Sequence, residues 1–127
     1  MEVIKIVGTD DTPSVTLDVA NEIFEISGRS LPEDVAAFYE PILDWLDKYS
    51  EEATGKTVFN FKLVYFNTAS SKMLLDILLK LEEMYEGGKE VLVRWHFPED
   101  DEDMEEAGEE YADIVEVPFE QISYSMD

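Results

Sequence analysis

Two stretches near the middle of the chain, TVFNFKLVYF (57–66) and EVLVRWHF (90–97), alternate with a period of two residues. In the first, Phe59, Phe61, Leu63 and Tyr65 point one way and Val58, Asn60, Lys62 and Val64 the other. In the second, Val91, Val93, Trp95 and Phe97 oppose Leu92, Arg94 and His96. Successive side chains of an extended strand leave on opposite faces, so each stretch reads as a strand with one apolar face and one mixed face. A doubly wound sheet needs both faces apolar, because helices cover both. The alternation therefore predicts an α/β fold in which a mixed sheet carries its helices mainly on one side.

Four further runs read as strands, VIKIV (3–7), SVTLDV (14–19), IFEIS (23–27) and VEVPFEQISY (115–124), each bounded by Gly, Pro, Asp or Asn. Three helical patterns lie among them, giving early hairpin strands followed by β-α-β units. The first helix follows Ser30, where SLPE reads as a capping box with Glu33, and Val35, Phe38, Ile42, Trp45, Leu46 and Tyr49 recur at helical spacing. Pro41 lies inside it and is expected to kink or restart the helix, since proline lacks the amide proton and crowds the carbonyl of Ala37. The second helix ends at Gly87-Gly88, a pair suited to a left-handed closing turn. The third is DEDMEEAGEEYAD, with Met104, Ala107, Gly108 and Tyr111 as a narrow apolar stripe. At 127 residues the whole chain, 1–127, is expected to form a single domain.

Charge restricts the function classes. With 31 acidic against 9 basic residues the formal charge is −22, which repels nucleic acid and anionic membrane surfaces and leaves proteins as the expected partners. After Arg94 there is no Lys or Arg, while Glu99 to Asp127 holds 13 carboxylates. That run lacks the glycine at which a helix-loop-helix calcium loop must turn. Cysteine is absent, so thiol nucleophiles, disulfides and thiolate metal sites are excluded. The N-terminus has neither the basic start nor the apolar run of a signal peptide, and the expected location is the cytoplasm. His96 is the only histidine, which makes any Ser-His-Asp arrangement depend on one residue. Lys5, Lys62 and Arg94 are expected on the mixed sheet face as a local basic patch.

One stretch carries more hydroxyls than a turn requires. FNTASSKMLLDILL (66–79) places Asn67, Thr68, Ser70 and Ser71 between a strand and the most apolar helix of the chain. At about 100° per residue, Met73, Leu74, Ile77, Leu78, Leu81, Met84 and Tyr85 gather on the core side of that helix. Leu75 and Leu79 fall instead among Lys72, Asp76, Lys80 and Glu83, on the face that should see water. Residue chemistry leaves two uses for Thr68. It caps the helix, or it accepts a phosphoryl group whose charge of about −1.5 to −2 would sit at the positive end of the helix.

The stretch is similar to the hydroxyl-bearing turn of anti-sigma-factor antagonists of the STAS fold. More closely, Gly8, Thr9, Thr12 and Pro13, then YFNTASSK, GGKEVLVRWHF and the late VPF resemble the SiaC family of regulatory phosphoproteins, over nearly the whole chain. The resemblance implies a STAS-like, non-catalytic switch without a cofactor or metal of its own. A dedicated protein kinase, bringing ATP and magnesium, would phosphorylate Thr68, and a PP2C-type phosphatase would reverse it. Asn67, Ser70 and Ser71 would shape the turn, while Lys72, Leu75, Asp76 and Leu79 would face partners. Unmodified, such a protein binds and activates a diguanylate cyclase, raising cyclic di-GMP and favouring biofilm formation. The acidic segment 99–113 and Pro41 depart from the family pattern. Two rival readings are a small acidic enzyme using carboxylates and His96 on the open sheet face, and a homo-oligomeric subunit that hides Leu75 and Leu79 against a second copy.

Overall fold

All six strands form, and they lie in one sheet in chain order. The computed structural model describes residues 1–125. Its elements are β1 (Ile4–Ile6), β2 (Ser14–Asp18), β3 (Ile23–Ser30), α1 (Val35–Glu52), β4 (Thr57–Phe66), α2 (Thr68–Glu86), β5 (Val91–Pro98), α3 (Glu102–Ile114) and β6 (Phe119–Tyr124). The first three strands pair antiparallel and the rest parallel, which makes the sheet mixed. Val15, Leu17, Phe24, Ile26, Phe59, Phe61, Leu63, Val93 and Trp95 form the buried face, and all three helices contribute to the core above it. The opposite face holds the mixed half of each alternation, so the sheet is covered on one side, as expected.

Two local expectations fail near α1. Ser30 is the last residue of β3 and is buried, so it cannot cap; the cap is Asp34, whose carboxylate accepts from the Ala37 amide at 3.1 Å. The helix then runs through Pro41 without restarting. Pro41 is exposed and its neighbour Ile42 fully buried, so packing of the inner face holds the helix across one lost hydrogen bond. Tyr85, assigned to the core from its spacing, is 42% exposed in the last turn of α2. That turn closes through Gly88 at φ +96°, with the Lys89 amide donating to the Met84 carbonyl at 3.0 Å.

The strand alternation also breaks once. Gly28 pairs with Leu63 but Arg29 pairs with Tyr65, so Val64 is an extra residue on β4. A bulge of this kind reverses which face later residues take. Tyr65, expected inside, is exposed with the Arg29 guanidinium 5.4 Å from its ring centre, and Phe66 turns inward against Trp95 and Tyr111.

The expected basic patch is neutralised. Lys62 pairs with Glu25 at 2.8 Å and Arg94 with Glu120 at 3.2 Å, while Lys5 sits in register with Thr16. His96 on the same face bonds Asn60 through Nε2 at 2.9 Å.

Trp95 anchors the acidic third helix. Its indole N–H donates to the Met104 carbonyl at 3.0 Å, and the Tyr111 ring lies 5.4 Å away. The predicted stripe of Met104, Gly108 and Tyr111 is what α3 buries. A β-carbon on Gly108 would sit 2.4 Å from Trp95 Cδ1 and 2.9 Å from Gln121 Nε2. Gly108→Ala is therefore expected to destabilise the fold by about 1–3 kcal/mol in urea denaturation. Gly55→Ala, where a β-carbon meets nothing within 4 Å, should stay within about 0.5 kcal/mol.

Burial, then the Lys62 ammonium, pushes the His96 imidazole below its ordinary value. As pH falls through about 6.5 the unfolded chain takes up this proton before the folded one. The stability owed to neutral His96 is thus complete above that value and is lost below it. Urea melts near pH 7.5 and near pH 5.5 should show the parent chain losing stability relative to His96→Gln at the lower value.

Candidate functional site

Four hydroxyl or amide side chains converge where β4 ends and α2 begins. The bulge at Val64 turns Phe66 into the core and brings Asn67 to the rim of the sheet, where its amide donates to the Ser30 carbonyl at 3.1 Å. Asn67 caps α2: its Oδ1 accepts from the Ser70 amide at 2.8 Å. Thr68 is consequently the first helical residue and not the cap. Its side chain is exposed, and no protein group among the described residues bonds its hydroxyl.

The other two hydroxyls of the turn are occupied. Ser71 Oγ donates back to the Thr68 carbonyl at 2.6 Å. Ser70 is fully buried, and its Oγ donates to the Ser30 carbonyl at 2.9 Å while accepting from Ser30 Oγ at 2.9 Å. Ser30 Oγ also lies 2.5 Å from the Tyr39 hydroxyl. With one proton per hydroxyl, both serine protons are already committed, so Tyr39 must donate to Ser30. Burial raises the Tyr39 pKa against the opposing effect of its serine partners, which keeps it a protonated donor. From the other side, the Tyr111 hydroxyl donates to the Ser71 carbonyl at 2.8 Å. Its pKa too is raised, chiefly by burial.

Of the residues expected to face partners, Lys72 and Asp76 are exposed and Leu79 is 37% exposed. They follow Thr68 along one side of α2 at helical spacing. Leu75 departs from expectation: it is half-buried and packs against the core, one turn on from Ser71, whose carbonyl accepts from the Tyr111 hydroxyl of α3. Ser30, Tyr39 and Tyr111 belong to the site and were not assigned to it from the sequence, which reads Ser30 as a cap and Tyr111 as part of an apolar stripe. A tyrosine inside an apolar helical stripe does signal a hidden polar partner, but nothing in its spacing names that partner.

The GT..TP segment lies at this rim as well. Thr9 Oγ1 accepts from the amides of Asp11 and Thr12, the Asp11 carbonyl accepts from the Leu31 amide at 2.8 Å, and Arg29 Nε donates to the Asp10 carbonyl at 3.1 Å. The loop is thereby tied beside the end of β3. His96, by contrast, is on the outer sheet face, hydrogen-bonded to Asn60 and not to a carboxylate.

Comparison with known proteins agrees with this fold. The model of the SiaC family regulatory phosphoprotein matches residues 6–124. A protein of Pseudomonas aeruginosa (strain UCBPP-PA14) is 31% identical over 119 residues, covering 94% of each chain. The solved structure of SiaC of Pseudomonas aeruginosa superposes with a TM-score of 0.89 at 28% identity, covering 98% of this chain and 100% of its own. A chain in the crystal structure of the diguanylate cyclase SiaD in complex with its activator SiaC, also from Pseudomonas aeruginosa, gives 0.90 at 30% identity over 95% and 99%. The protein is thus a regulator and not an enzyme, which sets aside the His96 reading, and it belongs to the SiaC family of regulatory phosphoproteins.

Proposed function

We propose that this chain is a cytoplasmic phospho-switch in which Thr68 accepts and loses a phosphoryl group, and that its unmodified form binds and activates a diguanylate cyclase. The observation that carries the reading is the exposed, unbonded hydroxyl of Thr68 at the first position of α2. A protein kinase would supply the phosphoryl group and a PP2C-type phosphatase would remove it. The complex of SiaD with its activator SiaC supports a cyclase as the effector. Among the described residues no helix is long and apolar enough to cross a membrane. The match over 6–124 supports treating the chain as a single unit.

The mechanism is local electrostatics. Lys72, Asp76 and Leu79 line the side of α2 that continues from Thr68, with half-buried Leu75 at its edge, and this stripe is the proposed docking surface. A phosphate adds a charge of about −1.5 to −2 at its upper end. Desolvating that charge against a partner costs on the order of several kcal/mol, enough to release one partner and admit another. At the same time, a phosphate at the first position of a helix meets free amides and a favourable dipole, so the fold tolerates it.

Titration of the protein against its own diguanylate cyclase should show Thr68→Ala binding like the unmodified chain, and Thr68→Asp binding at least about tenfold more weakly, a difference of about 1.4 kcal/mol. Phosphopeptide mapping of protein from its native cell should find phosphate on Thr68 and none in Thr68→Ala. Full binding by Thr68→Asp would sink the reading. Because Asn67 is the cap, Asn67→Ala should cost about 1 kcal/mol of stability in urea melts. Thr68→Ala should stay within about 0.5 kcal/mol.

A further inference from the structure

The turn presents three hydroxyls within four residues, yet their surroundings differ sharply. Thr68 is free, Ser71 is bonded back to the Thr68 carbonyl, and Ser70 is sealed beneath the helix. What separates them is a buried chain of hydroxyls that begins on a different helix: Tyr39 of α1 donates to Ser30 of β3, Ser30 to Ser70 of α2, and Ser70 to the Ser30 carbonyl. Four elements of the molecule meet in these few bonds if the Tyr111 grip from α3 is included. First turns of helices open readily when their amides and hydroxyls are tied only to water. This one is tied down from inside.

We infer that the Tyr39–Ser30–Ser70 chain confines phosphorylation to Thr68. The inference rests on the switch reading above and adds to it three positioning residues, none of which receives the phosphate. Opening of the first turn is the event that would release Ser70 from burial and Ser71 from its back-bond, making either oxygen available to a kinase. Removing one buried hydrogen bond from the chain makes that opening about fivefold more frequent. Tyr39→Phe deletes a single hydroxyl, which lies against Ser30 and Ser70, keeps the ring in its place against Phe38, and changes no residue of α2. Ser70→Ala deletes the link nearest the turn. Both leave Thr68 and its cap Asn67 chemically intact.

The test replaces the gene in its native cell, so that whatever kinase acts there is present, and maps phosphate on residues 68, 70 and 71 by mass spectrometry of the purified protein. In the parent chain the label should be confined to Thr68. In Tyr39→Phe the ratio of label on Ser70 plus Ser71 to label on Thr68 should rise about fivefold over the parent. In Ser70→Ala the new label should appear on Ser71. Tyr49→Phe is the control: it removes another buried tyrosine hydroxyl, bonded to Thr57 Oγ1 at 2.6 Å in β4's first position, away from the switch. It should lower the melting temperature comparably and leave the label on Thr68. Hydrogen exchange at the amides of residues 70–72 should quicken in Tyr39→Phe and not in Tyr49→Phe. Label confined to Thr68 in Tyr39→Phe, or equal spreading in Tyr49→Phe, overturns the inference. A parent chain with no phosphate on Thr68 removes the switch reading itself, a result distinct from both. If Ser70→Ala does not accumulate as folded protein, Tyr39→Phe alone decides.

Discussion

From β3 onward each strand is added on the same side of the last. A connection between parallel strands coils back over the sheet in one hand, so a steady march of strands stacks every connecting helix on the same face. Two features follow from that topology. The outer face has no helix to cover it and must be finished with polar and ion-paired side chains. And the three connections leave from one rim of the sheet, because β3, β4 and β5 all end there. Asp34, Asn67 and Asp101, the caps of α1, α2 and α3, follow those three strand ends. The meeting of Ser30, Ser70 and the tyrosines of two neighbouring helices is a product of this geometry. A doubly wound sheet would have divided those helices between two faces.

The acidic load is arranged around the same plan. The outer face spends Lys62 and Arg94 on Glu25 and Glu120. The helix side carries the excess, most densely on α3, which forms no ion pair among the described residues. That helix holds through few groups: a cap at Asp101, acidic residues in the first turn where the dipole favours them, and a glycine seated against Trp95. Its burial of Met104 and Tyr111 has a second effect, since the Tyr111 hydroxyl reaches the turn that carries Thr68. A helix that looks like a solvated acidic decoration in the sequence is part of the wall behind that turn.

Periodicity revealed most of the architecture. Alternation in 57–66 and 90–97 was enough to place one face inward and to put the helices on one side, and helical spacing found all three helices. What periodicity cannot register is a single inserted residue that only a neighbouring strand defines. Val64 is such a residue: without the pairing of β3 with β4, Tyr65 belongs inside and Phe66 outside, the reverse of their places. The capping box at Ser30 fails for a related reason. The local pattern was genuine, but burial in the sheet claimed the hydroxyl for Tyr39 and Ser70, and Asp34 took its place. Thr68 stands out as a candidate because excess hydroxyls before an apolar helix are visible in one dimension. Its partners in the wall, Ser30, Tyr39 and Tyr111, lie up to 43 positions from it in the chain and are joined only by the fold.

The closing of α2 by Asn67 leaves position 68 without a structural task. On the switch reading, folding and regulation are then written in adjacent codons that can change independently. A lineage that lost the threonine would keep an intact, well-capped helix and a permanently unmodified surface, and so a constitutive activator. One that lost the asparagine would weaken the scaffold while retaining its acceptor. On that reading regulation is easily lost and easily regained, because the side chain that would bear it holds nothing up.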